Sequence, residues 1–107
     1  MGFGPGNMAK MMKQVQKLQA DMARIQEELK EKRVEATSGG GMVRVEVTGG
    51  LEVKALEIKP EAIDPEDPEL LADLVMAAVN EGIRKAQEMS QQEMARITGG
   101  LSLPGIF

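Results

Sequence analysis

Apolar residues fall at Met8, Met11, Val15, Leu18, Met22, Ile25 and Leu29, in alternating steps of three and four. That is the a/d repeat of a coiled-coil seam, held for about three heptads. No Pro or Gly interrupts the stretch from Met8 to Lys32, and Ala, Met, Leu, Gln, Glu, Lys and Arg dominate it, so local propensity agrees with the periodicity. The pattern predicts a helix over residues 8–32. It is too long to be covered by the rest of so small a chain. It calls for a partner helix, and part of it should project from the body.

The period then changes to two. Val34, Ala36 and Ser38 alternate with Glu35 and Thr37, and Val43, Val45 and Val47 alternate with Arg44, Glu46 and Thr48. Each run reads as a half-buried strand. Gly39-Gly40-Gly41 and Gly49-Gly50 supply the turns between strands, the second as a two-residue hairpin signal. A third strand is expected from Leu51 to Lys59. Its apolar set starts on Leu51 and Val53 and shifts parity to Leu56 and Ile58. A bulge near Lys54 or Ala55, or burial on both faces, would account for the shift. Short turns force the three strands, residues 33–59, into an antiparallel meander.

Pro60 ends the sheet. Asp67-Pro68-Glu69 has the signature of a helix start, with Asp67 as N-cap and Pro68 at the first position. Leu71, Leu74, Val75, Ala78, Val79, Gly82, Ile83, Ala86 and Met89 then form a wide apolar face. The second helix, 67–97, should therefore lie on the sheet with its first half. Its second half is polar and should be less buried, and Gly99-Gly100 should stop it. Residues 1–7 read as a flexible Gly-rich leader with Asn7 as N-cap, and 98–107 as an apolar tail that either packs on a partner or stays unstructured. The expected architecture is a single α+β domain, residues 1–107, in the order α-β-β-β-α. One sheet face, the sheet edges and the long seam have no evident cover within one chain, and a symmetric dimer is the economical solution.

Composition narrows the chemistry. The 107 residues include no Cys and no His, which removes thiolate chemistry, the commonest general base and the commonest transition-metal ligand. No serine has a nucleophile's setting, and the carboxylates from Asp64 to Glu69 already serve a helix start. An enzyme, a cofactor, a metal and a small-molecule substrate are therefore not expected. No apolar run is long enough to span a bilayer, and the leader is unlike a signal peptide. The only aromatic residues are two Phe, too few for base-stacking platforms. What remains is surface binding, to duplex DNA through backbone charge or to protein through helix packing.

Charge refines that choice. The chain carries a formal net charge of −4, which counts against nucleic acid. The charge is uneven, however. Residues 1–26 sum to +3, whereas Glu57–Asp73 sums to −6. At 100° per residue, Lys10, Lys13, Lys17 and Arg24 lie within about 60° of one another, facing away from the seam. Pattern alone reads this stripe as an ordinary solvated helix face. Beyond it, Glu27, Glu28 and Glu31 turn the surface acidic.

The order of features resembles a known family. A Gly-rich leader precedes Met11-Met12-Lys13-Gln14-Val15-Gln16-Lys17-Leu18-Gln19. Gly39-Gly40-Gly41-Met42-Val43-Arg44-Val45 and Leu56-Glu57-Ile58 follow, and then Asp73-Leu74-Val75-Met76-Ala77-Ala78-Val79-Asn80. Last comes Gly99-Gly100-Leu101-Ser102-Leu103-Pro104-Gly105. Each piece alone is weak, but five in this order resemble the YbaB/EbfC family of bacterial nucleoid-associated proteins over essentially the whole chain. The resemblance implies a cytoplasmic, nucleoid-located homodimer with projecting helical arms. It also implies binding to double-stranded DNA, with roles in nucleoid organisation and gene regulation. It places DNA contacts on the first and last helices: by position Lys10, Lys13, Lys17 and Arg24, then Arg84, Lys85 and Arg96, the last three lying among Glu81, Glu88 and Glu93. No helix-turn-helix or zinc module is present to read bases, so mainly phosphate contacts with weak sequence preference are expected. The alternative, of a different class, is a protein-interaction module that uses the Met-rich seam or the apolar tail.

Overall fold

A computed structural model describes the backbone of residues 5–99 and the side chains of residues 8–97. Five main elements follow in the expected order: α1 (Pro5–Glu31), β1 (Arg33–Ser38), β2 (Val43–Thr48), β3 (Val53–Ile58) and α2 (Pro68–Gly99), with single 3-10 turns at Gly39–Gly41 and Pro60–Ala62. The strands form one antiparallel sheet in the order β1-β2-β3. Overall extents of 78 × 26 × 16 Å and a radius of gyration of 21.1 Å describe an elongated molecule, since a compact chain of this length would have about 13 Å.

The valines on alternate positions of β2 build the core. Val43, Val45 and Val47 are fully buried, and Ala36, Ala78 and Ala86 complete the cluster with Val34, Ile58 and Leu74 packed around it. α2 lies across β1 and β2. It comes close to the sheet because Gly82 has no side chain: a Cβ there would sit 2.6 Å from a Val47 methyl. At one end of the sheet the Ser38 hydroxyl donates to the Leu74 carbonyl at 2.6 Å, and at the other the Ser90 hydroxyl donates to the Gly49 carbonyl at 3.1 Å. α2 therefore runs the full length of β1 and continues past the sheet.

α1 joins it there. The Gly49 amide donates to the carbonyls of Leu29 and Lys32 at 2.9 and 3.1 Å, and Ile25 and Leu29 are buried. The root of α1 thus packs against the second half of α2, and its front half extends beyond the body, as the seam length predicts.

Several local features differ from expectation. α1 begins at Pro5, not Met8, because proline's fixed φ suits the first helical turn, where its missing N–H is no loss. Residues 1–4 of the leader and 100–107 of the tail lie outside the described residues. α2 continues through Gly99, two residues beyond its expected end. The β2–β3 connection takes four residues, not two. Leu51 N donates to the Thr48 carbonyl at 2.9 Å, Leu51 adopts φ 63°, and Thr48 is buried with its hydroxyl accepting from Glu52 N. The parity shift in β3 is a bulge: Glu46 pairs with Ala55 and Val47 with Val53, leaving Lys54 extra. That bulge puts Val53, Leu56 and Ile58 on one face, the face α2 packs on.

The other sheet face needs no cover. Arg44 reaches Glu35, Glu46 and Glu57 at 3.0, 3.3 and 3.1 Å, joining all three strands, and Arg33 approaches Glu46 at 3.9 Å. A charged antiparallel face sits comfortably in water. The uncovered apolar surface is instead on the inner side of β3, where α2 does not reach. Val53 and Leu56 are 41 % and 45 % exposed, and Leu51 beside them is exposed as well. The N-cap on α2 is as expected, with Leu70 N donating to Asp67 Oδ1 at 3.2 Å.

Candidate nucleic-acid interface

The seven basic residues divide by what surrounds them. Lys10, Lys13 and Lys17 stand exposed on the projecting half of α1, and no carboxylate among the described residues forms an ion pair with them within 4.0 Å. The helix that carries them forms because its whole sequence favours one. It points outward because only its last two turns find α2.

Arg24 lies on the same face but is held by Asp21 at 3.7 Å and Glu28 at 3.8 Å. On α2, Arg84 is clamped between Glu81 and Glu88. Its hydrogen bond holds the Glu81 carboxyl below the usual glutamate range, so the pair stays charged on both sides. Arg96 reaches Glu93 at 3.3 Å, and Glu93 also takes Lys32 at 3.1 Å. The Lys32 hydrogen bond is the main cause of the lowered Glu93 pKa. Lys85 donates to the backbone carbonyl of Glu35 at 3.1 Å, on the body. The structure thus brings three lysines together on the arm, leaves Arg84 and Arg96 in local ion pairs, and ties Lys85 to a β1 carbonyl.

These pairs carry a signal in the sequence. Asp21, Arg24 and Glu28 follow i,i+3 and i,i+4 spacing, as do Glu81, Arg84 and Glu88, with Glu93 and Arg96 three apart. Such neighbours meet on a helix surface. An exposed pair adds little stability, but a phosphate must compete with the carboxylate already there. Lys32 is not among the residues the sequence singles out. Its partner, Glu93, is 61 residues away in sequence, and no local pattern reveals it.

The acidic segment lies at the far end of the body. β3 ends beside the Gly39–Gly41 turn, where Lys59 N donates to the Met42 carbonyl at 2.9 Å. The acids from Glu61 to Asp73 follow, at the end of the sheet opposite the arm. Two of them serve the local backbone: Glu66 N donates to Asp64 Oδ1 at 2.9 Å, and Asp67 caps α2. Among the described residues no group of three or more acidic side chains is placed to hold a metal, and no helix is long and apolar enough to cross a membrane.

Comparison with known proteins places the chain in a family. A nucleoid-associated protein from Pelotomaculum thermopropionicum is 60 % identical over 102 residues, covering 95 % of this chain and 97 % of its own. One from Alkaliphilus metalliredigens is 57 % identical over 107 residues, covering 100 % and 93 %. The crystal structure of an uncharacterized protein from Helicobacter pylori has the same fold, with a TM-score of 0.74 at 24 % identity, over 85 % of this chain and 96 % of that one. The model of the YbaB/EbfC DNA-binding family matches residues 3–101, and the chain belongs to that family.

Proposed function

We propose that the protein is a nucleoid-associated, non-enzymatic binder of double-stranded DNA that works as a homodimer and grips the phosphate backbone with the outer face of its α1 arms. The carrying observation is the set of three unpaired lysines on a helix that stands clear of the body. Lys10 to Lys17 spans about 10 Å of helix, and a duplex presents a charge about every 1.7 Å. Phosphates are therefore available at almost any register. Ammonium groups on flexible stems select no base edge, so weak sequence preference follows. Location at the nucleoid, in the cytoplasm, goes with that partner.

The dimer is supported by the bare inner side of β3. Val53 and Leu56 lie open there, and Val79 and Ile83 of α2 are only half-buried. A second copy applied by a two-fold axis would bury this patch against itself. Two arms would then present six free lysines. The experiment is a salt titration of binding to duplex DNA. Six phosphate contacts give a slope of about −5 in log affinity against log salt. A slope near zero would remove the stripe from the mechanism. Light scattering should give twice the 11.6 kDa chain mass, and Leu56→Arg should return it to one.

A further inference from the structure

A strand at the side of a sheet presents a row of unpaired N–H and C=O groups to any strand that meets it. The ladder shows which residues of β1 do so. At the two ends of β2, the Met42 carbonyl accepts from Lys59 N and Thr48 N donates to the Glu52 carbonyl, both at 2.9 Å. The even-numbered residues along β2 therefore turn their backbone groups toward β3. In an antiparallel sheet these directions alternate, so Val43, Val45 and Val47 turn theirs toward β1, where they face Ser38, Ala36 and Val34. The backbone groups of Arg33, Glu35 and Thr37 are left pointing off the free edge. β1 pairs with β2 over all six residues without a shift of register. It lacks the bulge that disturbs β3 at Lys54, and a bulge is one of the common protections of a sheet edge.

One side chain stands at this edge. Lys85 reaches from α2 and donates to the Glu35 carbonyl at 3.1 Å, the middle one of the three. Ala86, the next residue, is fully buried, so the helix is held at the sheet where the Lys85 stem leaves it and its ammonium passes beyond the core. Glu81 and Glu88, one turn to either side on α2, are engaged by Arg84. The Lys85 ammonium is left for the carbonyl.

We propose that Lys85 guards the β1 edge, closing it to strand addition by β1 of a second copy of the chain. The excluded pairing is otherwise well formed. Centred on Ala36, it sets Glu35 opposite Thr37 of the second copy, so that no like charges meet. An incoming strand would need the Glu35 carbonyl as an acceptor, and would have to displace or bury a charged ammonium to reach it. The role differs from the phosphate contact that position in the family implies for Lys85, and it depends on neither the DNA reading nor the dimer reading.

The test uses the full chain without DNA. Lys85 is exposed, so Lys85→Ala should fold as the unaltered chain does. Light scattering is followed from micromolar to millimolar protein. The mass of Lys85→Ala should climb with concentration to at least double that of the unaltered chain under the same conditions. Lys85→Arg, which keeps a charged donor of similar reach, should follow the unaltered chain. The comparison is between proteins, so it holds whether the unaltered chain is one copy or two. Amide hydrogen exchange at the high concentration then locates the contact: Arg33, Glu35 and Thr37 should exchange several-fold more slowly in Lys85→Ala. A mass equal to that of the unaltered chain overturns the proposal. So does a rise in mass that leaves those three amides unprotected, or an arginine variant that associates as the alanine variant does.

Discussion

The two halves of α1 follow one heptad repeat and meet different fates. In the rear half Ile25 and Leu29 are 8 % and 5 % exposed, whereas Met11 in the front half is 64 % exposed. Helix propensity, apolar spacing and length are continuous across the boundary. What differs is the neighbour, since α2 reaches the rear half only. The outer faces differ in the same place: the rear half carries Arg24, Glu28, Glu27 and Lys30 in mutual ion pairs, and the front half carries lysines alone. A heptad states what a helix requires; the rest of the chain decides where the requirement is met. The rear half is anchor and the front half is reach.

Stability should split along that line. Leu29→Ala removes a buried side chain held against Gly49 and α2, and should cost about 2–5 kcal/mol in urea unfolding. Met8→Ala in the front half should stay within about 0.5 kcal/mol. Equal costs would show that the two halves are buried alike. Next in size, Gly82→Val forces α2 away from Val47 and should cost about 1–3 kcal/mol, loosening the anchor while the arm's charge is unchanged.

DNA binding should split the opposite way. Lys13→Ala removes one free cation per chain, lowering the salt slope by about 1 for each phosphate no longer neutralised. Arg24→Ala should change it less, because Asp21 and Glu28 already hold that guanidinium. A larger effect at Arg24 than at Lys13 would place the grip on the anchor half.

The smallest effect belongs to the sheet. Hydrogen bonding to Arg44 lowers the Glu35 carboxyl from its ordinary 4.5. A carboxylate depressed on folding contributes stability above the unfolded pKa and loses it as pH falls through the folded one. Glu35→Gln should therefore be slightly less stable than the unaltered chain at pH 7, with the gap closing below about pH 4.5 and the arm indifferent throughout. A gap that persists at pH 2 would assign the effect to packing.

Much of the fold is legible in the sequence because it is local. Alternation locates all three strands, the parity shift at Leu56 announces the Lys54 bulge, and Asp67-Pro68 marks the start of α2. The start of α1 is hidden by its glycines, which read as breakers although Pro5 opens the helix. Gly49-Gly50 has the look of a complete turn. Gly49 is committed instead to hydrogen bonds with α1, and Leu51 takes the left-handed position of a longer loop. At the candidate site, Lys10 and Lys13 have no acid three or four residues away. Lys17 has Asp21 at that spacing, and the structure gives Asp21 to Arg24. Which cation is free there depends on a competition that spacing alone does not rank.

The 78 Å length of the molecule bears on its electrostatics. The lysines occupy one extremity and the acids of residues 57–73 the other. Counter-ions extinguish a charge's influence within about 8 Å at physiological ionic strength. A duplex lying on the arm, as proposed, would be several such lengths from those acids and largely screened from them. At longer range, in dilute salt, the same polarity would turn the molecule toward a duplex with the arm lysines leading. The formal charge of −4 is thus a total that no phosphate experiences, and the isoelectric point of this protein says little about what it binds.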